Sequence, residues 1–322
     1  MAQIVFALGS SHGPTIQSAA ESWARLGDGD TRDPRFDYRA LLAKAKPGLD
    51  KEITLEVQRA RHKAARDGLA ALTRRIAAAK PDVVVMISNA HRIRRAEPHP
   101  VFGILRAETF PVMERAIENY DPDARFAAGG DRKAATTATG AMPGHPALAN
   151  ALIEGLIEQG FDVASIDRLP DGTVLDDAFS FAYQWLFEER KIPLVPFLLS
   201  RDLPNQATPS RCYDLGAALR RVIDSSPLDL RVGLIASGGL SHQIIDEELD
   251  RSVIEALAKG NVAQLRALPR ERLNAAPGTP EILNWVAVAA AMAPETMKLI
   301  DYLPCYRSLA GTGHGVTFGY WR

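Results

Sequence analysis

The sequence is poor in the features that most directly betray a function. It has two cysteines, Cys212 and Cys305. They form no metal-binding or redox spacing and no disulfide framework, so a reducing cytoplasm is the simplest setting. Charge of one sign is also missing. With 38 basic and 39 acidic residues the formal net charge is -1, which gives no global reason to expect nucleic acid or an anionic membrane as a partner. The first residues lack the basic region and long apolar segment of a signal peptide. The longest apolar tract near the other end, WVAVAAAMA at 285–293, is too short to span a bilayer and reads as part of a buried helix. No internal repeat or coiled-coil heptad is visible.

What is present is an ordinary globular composition, 46% hydrophobic and 24% charged over 322 residues, enough for one large domain or two modest ones. Three runs read as buried strands: IVFAL at 4–8, DVVVMI at 82–87 and RVGLIA at 231–236. IPLVPFLL at 192–199 is a fourth, with Pro193 and Pro196 favouring an edge or irregular path. Residues 49–79 predict a helix that stops before Lys80-Pro81. Further helices are expected over 146–159, 215–223 and 280–293, the last opened by Thr279-Pro280-Glu281. Strands alternating with helices predict a three-layer α/β fold around one main sheet. Residues 24–48 and 120–144 are less regular and read as long surface loops or insertions.

The polar chemistry collects just past the strands. The first run leads to SSHGP with His12, the second to ISNAHR with His91, the third to ASGGLSHQ with His242. In an α/β sheet, ligand sites form outside the carboxyl ends of the strands. Three histidines in equivalent positions therefore either share one polar site or cap their strands separately. Imidazole suits iron, zinc or copper, and two histidines with one carboxylate make the facial triad of non-haem Fe(II). A carboxylate candidate is Glu281, whose simpler role is to favour a helix N-terminus electrostatically.

Several segments together resemble the class III, or LigB-type, extradiol ring-cleavage dioxygenases. They are SSHGPT at 10–15, VVVMISNAH at 83–91, PGHPALANAL at 143–152, ASGGLSHQ at 236–243, TPEILNW at 279–285 and DYLPCYRSLAGTG at 301–313. The gallate and methylgallate branch is the most similar in appearance. The resemblance implies one catalytic domain over 1–322, a LigB-like fold with a central, mostly parallel or mixed sheet flanked by helices, and Fe(II) as cofactor. It implies His12, His91 and Glu281 as iron ligands and His242 as the acid–base residue outside the metal's own ligand set. The implied reaction opens the ring of a catechol- or gallate-like substrate with O2 and inserts both oxygen atoms. Catalytic chains of this kind form homodimers or join a smaller accessory subunit.

Around that core, His145 in PGHP either supports a helix start or contributes to the site. Tyr306 and Arg307 are candidate substrate contacts, Arg307 through bidentate pairing with a carboxylate or, equally, as an anchor of the C-terminal loop. His314 in GTGHG reads as a surface loop residue and His62 as exposed, while His99 has no reason to join the site. Arg92, Arg94 and Arg95 either draw in an acidic substrate or are solvated. Two positions depart from the family pattern. Ala90 stands where many relatives carry an acidic residue before the histidine, and Asp177 stands where relatives often place a substrate-contacting histidine. A carboxylate there accepts hydrogen bonds but lacks imidazole's paired donor and acceptor. Alternatives are a metal-dependent hydrolase on the same scaffold and a noncatalytic dioxygenase subunit.

Overall fold

The structure is a computed structural model that describes residues 1–89, 100–112, 140–169, 173–188 and 190–322. His91, His99, Ala90, Arg92, Arg94 and Arg95 lie outside the described residues, as does most of the 120–144 segment.

The apolar runs form the strands they predict. Gln3–Ser10 is β1, Val83–Ser88 β2, Phe102–Leu105 β3, Thr109–Val112 β4, Gly140–Pro143 β5, Val163–Ile166 β6, Leu194–Leu199 β7, Arg231–Ser237 β8, His242–Ile244 β9, Lys298–Tyr306 β10 and Thr312–Tyr320 β11. Among the described residues nine of these make one sheet in the order β10-β11-β1-β8-β2-β7-β3-β6, with β9 also paired to β11. The four middle strands β1, β8, β2 and β7 are parallel to one another. The pairs β10–β11, β11–β1 and β7–β3 are antiparallel. Parallel strands bury both faces, which is why their sequences are continuous apolar runs rather than alternating ones.

Alternation is still visible in which core each residue joins. Val83, Val85 and Ile87 of β2 enter one apolar cluster and Val84 and Met86 the other. The first cluster is closed by the helices Pro146–Glu158, Pro209–Ser225 and Ile282–Met292, the second by Leu55–Ala79. This is the mixed α/β sandwich of sheet and flanking helices that the alternation of elements predicts. All eleven residues of Ile282–Met292 are buried. A helix enclosed on every side is apolar all round, and this accounts for WVAVAAAMA. Among the described residues no helix is long and apolar enough to cross a membrane.

The helix boundaries follow local chemistry. Thr54 caps Leu55–Ala79 by accepting from Val57 N, and the helix stops at Lys80 in a left-handed turn before Pro81. Pro146 and Pro209 each occupy the first turn of their helices.

Two expectations are corrected. β7 is an interior strand, not an edge. Pro193 O accepts from Val84 N, so residues 193 and 195 aim at β2 and Pro196 aims the opposite way. On that side the pairing with β3 spans only Phe197–Leu199, so the missing N–H of Pro196 costs no bond. The 24–48 segment is also not a simple loop. It holds most of the helix Trp23–Asp30 and all of Tyr38–Ala43. Gly27 lies where a Cβ would overlap the Arg307 carbonyl, and Trp23 and Leu26 are buried beside it.

Candidate active site

The carboxyl ends of the parallel strands all lie on one edge of the sheet. Each delivers polar residues there: Ser11-His12 from β1, Ser237-Gly238-Gly239 from β8, Ser88-Asn89 from β2, and Ser200-Arg201 from β7. β11 runs past this edge. Its second half pairs with β1 and its first half with β9, placing β9 and His242 just beyond the end of β1. Ser11 stitches the junction. Its N–H donates to Thr317 O, its Oγ accepts from Thr317 N, and its hydroxyl donates to Gly239 O.

His12, His242 and Glu281 converge. Glu281 Oε2 lies 4.0 Å from His12 Nε2 and 3.9 Å from His242 Nδ1. All three are buried, Glu281 completely. The carboxylate is held from behind. Its Oε1 accepts from Arg201 Nη1 at 2.9 Å, and Oε2 accepts from Gly239 N at 3.0 Å. A buried carboxylate without such partners would carry a desolvation cost of several kcal/mol, which the Arg201 pair offsets. Gly238 makes the approach possible: its φ is +99°, and a Cβ there would overlap the Glu281 carboxylate.

The hydrogen bonds fix the tautomer of His12. Ser237 Oγ donates to Ala178 O at 2.7 Å. It therefore accepts from His12 Nδ1, 2.9 Å away. With the proton on Nδ1, Nε2 directs its lone pair toward Glu281 Oε2. Burial lowers the His12 pKa, opposed by the negative charges of Glu281 and Asp177, so the ring is neutral near pH 7. Burial also lowers His242, to about 4, against Glu281. His242 Nδ1 is buried with no hydrogen-bond partner among the described residues; at 3.9 Å the Glu281 contact is electrostatic rather than a hydrogen bond.

Asn89 and Asn284 brace this edge. Asn284 Nδ2 donates to Asn89 Oδ1 at 2.9 Å and to Ser237 O at 2.7 Å, and Asn89 Nδ2 donates to Leu199 O at 2.5 Å. Trp285 Nε1 donates to Gly238 O at 2.7 Å. Sequence reasoning missed Arg201, Ser237 and the asparagine pair. The signal for Arg201 was there: it follows a buried apolar run, as His12 does.

The remaining candidates sit apart from the convergence or hold other partners. Asp177 opens the helix Asp177–Phe181, half-buried, near enough to act electrostatically on His12. His145 caps its helix: Nδ1 accepts from Leu148 N at 3.1 Å. Tyr306 donates to Glu247 Oε1 at 2.7 Å. Arg307 gives its fork to Asp30, with Nε and Nη2 at 2.5 and 2.6 Å. Its Nη1 is buried and has no hydrogen-bond partner among the described residues. Two histidines are corrected. His62 is half-buried, edge-on to Trp23 at 6.5 Å. His314 is not on the surface; it is 0% exposed and lies in β11 against His242.

Among the described residues no group of three His, Cys, Asp or Glu side chains is arranged to hold a metal ion. The expected third member, His91, is outside them.

Comparison with known proteins narrows the reading. A gallate dioxygenase from Pseudomonas putida is 28% identical over 184 residues, covering 52% of this chain and 52% of the relative. The chain thus spans about half the length of that curated relative. A solved structure of an uncharacterized protein, JW3007, from Escherichia coli K12 aligns over 98% of both chains with 15% identity and a TM-score of 0.46. Residues 52–317 match the family described as the catalytic LigB subunit of aromatic ring-opening dioxygenase, and because that match takes in most of the fold and the strand ends that bring His242 and Glu281 together, the chain belongs to the LigB family.

Proposed function

We propose that this protein is a non-haem Fe(II)-dependent extradiol dioxygenase that opens the ring of a catechol- or gallate-like aromatic. The observation that carries the reading is that His12 Nε2 and His242 Nδ1 each lie within 4.0 Å of Glu281 Oε2, in a chain of a ring-opening dioxygenase family.

The donor set fits a cation. A neutral imidazole directs a lone pair at an ionised carboxylate, and two electron-pair donors facing one another in a buried site are stabilised by a metal between them. The buried Nδ1 of His242 is a further polar atom, with no hydrogen-bond partner among the described residues. In this reading His12 and Glu281 hold Fe(II) together with His91, and His242 stays outside the metal's ligand set. The bound iron would acidify the substrate hydroxyl and bring the ring and O2 together.

The chain's own residues do the rest. Ser237 fixes the His12 tautomer. Arg201 and the Gly239 N–H donate to Glu281 and orient its carboxylate. His242, held neutral by burial, accepts a phenolic proton at Nδ1 and returns it later in the cycle. Asp177 acts on His12 as a negative charge; beside a bound ring it would disfavour a substrate carboxylate and favour hydroxyl donors.

The test is anaerobic Fe(II) reconstitution followed by 18O2 and a panel of catechols and gallate derivatives. The expected product is ring-opened and carries both labelled atoms. Unlabelled products from an iron-loaded sample would overturn the reading, and a hydrolysis product would replace it with the hydrolase. Assembly as a homodimer, or with a smaller accessory subunit, belongs to the same proposal. Sedimentation of the active chain checks it, and an active monomer would remove both.

A further inference from the structure

His314 lies in β11, fully buried. The antiparallel register sets it directly opposite His242 of β9. Opposed residues of such a pair bring their side chains into contact, and the two imidazoles stack with centroids 4.3 Å apart and planes within 10°. His314 Nε2 is 3.0 Å from Gly239 O. A carbonyl only accepts, so Nε2 carries the proton and Nδ1 the lone pair. Nδ1 has no hydrogen-bond partner among the described residues. The ring presses on Gly13, where a Cβ would overlap it. Gly13 has an ordinary φ of -69°, so glycine is required there for space rather than for backbone shape.

A proton carrier presents a special packing problem. Its exchanging nitrogen must stay open to substrate, so hydrogen bonds to the fold cannot anchor the ring through that atom. The backbone of His242 is held, with its N–H 3.3 Å from Thr279 Oγ1. Its ring is confined by contact: Gly278 lies where a Cβ would run into the root of the imidazole, and His314 covers a face. Gly239 links the two sides of the site. Its carbonyl accepts from His314 as well as from the Ser11 hydroxyl, while its N–H donates to Glu281 Oε2.

We propose that His314 is a positioning residue with two separable functions: its ring face orients the His242 imidazole, and its Nε2–H steadies the Gly239 peptide that orients Glu281. This deepens the dioxygenase reading and rests on His242 as the proton carrier.

Two substitutions separate the functions. His314→Phe keeps a flat ring and loses the donor. His314→Gln keeps a donor and loses the ring. Phe is expected to hold kcat at saturating iron within about threefold while weakening anaerobic Fe(II) binding by roughly tenfold, the scale of orienting contacts behind a ligand. Gln is expected to keep iron affinity and substrate KM but lose kcat by about tenfold or more, as misplacement of a reacting group does. Both variants moving both quantities together, or neither moving either, would overturn the proposal. A readout in metal-free protein runs alongside. In histidine-labelled samples the upfield ring-current shift of the His242 ring protons should persist in Phe and vanish in Gln. If wild type shows that shift but turns over no aromatic, the dioxygenase reading fails while the packing stands. If wild type is active and the shift is the same in Gln, the positioning role fails. Gly13→Ala guards against simple misfolding. It should lower the melting temperature strongly, and His314→Ala in the same chain should restore it; no restoration would count against the contact.

Discussion

Polar side chains crowd two neighbouring regions of the sheet's carboxyl edge, and the fold treats them in opposite ways. Beyond the ends of β1 and β8, Glu281 Oε2 faces His12 Nε2 at 4.0 Å and His242 Nδ1 at 3.9 Å. In the antiparallel flank built on β10 and β11, partners close to bonding distance. Tyr302 donates to Asp250 at 2.8 Å, Tyr306 to Glu247 at 2.7 Å, and Arg307 to Asp30 at 2.5 and 2.6 Å. Residue type does not separate these regions, since tyrosine, arginine and histidine all serve substrates elsewhere. Distance separates them. A pair closed to hydrogen-bond length is held by the fold, and polar groups that face one another across a wider gap leave room for something between them.

The strongest way to break this contrast is at His242. His242→Ala should lower kcat by about 10²- to 10⁴-fold, the usual contribution of a general acid–base, with iron occupancy retained. Loss of iron in proportion to activity would move His242 into the metal's ligand set and redraw the site.

Next in size is the flank's buried pair. Arg307→Ala takes from Asp30 its ion-pair partner inside the protein, where both side chains are nearly inaccessible. Breaking such a pair costs about 3–5 kcal/mol, readable as a lower urea midpoint. Arg307→Ala with Asp30→Ala should recover part of that loss. A variant of wild-type stability with a raised KM for carboxylated substrates would instead assign Arg307 to the substrate through Nη1.

These contrasts also show where the sequence was readable. A polar residue directly after a buried apolar run marked His12 and His242, because parallel strands end on one edge. The same rule applied to 200–201 would have found Arg201. From the residues alone Glu281 was ambiguous between helix electrostatics and ligation; in the fold the Gly238 approach and the Arg201 pair hold its carboxylate beside His12 and His242. His314 was misread for a physical reason. Its flanking glycines suggested a loop, but in a strand glycines mark close approach. A Cβ at Gly315 would overlap Asp250, and one at Gly313 would overlap the Cys305 carbonyl. Tyr306 and Arg307 could not be sorted in advance, since Asp30 and Glu247 lie far away in sequence and meet them only through the fold.

The two regions should also titrate with opposite sign. Burial pushes Asp250 up to about 7 against its bonds from Ser241 and Tyr302. Between pH 4 and 7 the folded state then binds a proton that the unfolded state has released, so this group's stabilisation declines as pH rises through 7. Burial pulls His242 down to about 4. Below its ordinary value of 6.5 the unfolded state binds the extra proton, so stability declines as pH falls toward 4. These shifts correspond to roughly 4 kcal/mol for Asp250 and roughly 3 kcal/mol for His242. The windows overlap between about pH 4 and 6.5, where the two slopes oppose one another. Relative to wild type, the stability of metal-free protein should therefore rise more steeply with pH over that range in Asp250→Asn and fall with pH in His242→Phe. Matching profiles in the two variants would erase the distinction.

The smallest effect tests the boundary between site and scaffold. His145 lies in a segment shared with the family, so the sequence alone offered it both roles. In the fold its Nδ1 accepts from Leu148 N and completes the first turn of Pro146–Glu158. A capping side chain is worth about 1 kcal/mol. His145→Ala should therefore lower unfolding free energy by about that much, and His145→Asn should restore it, because asparagine is among the best caps. Neither should change kcat or KM, since the acceptor nitrogen is already spent on the helix. A fall in kcat with the asparagine variant, its stability intact, would show that the imidazole itself reaches substrate and that a satisfied side chain can belong to the site after all.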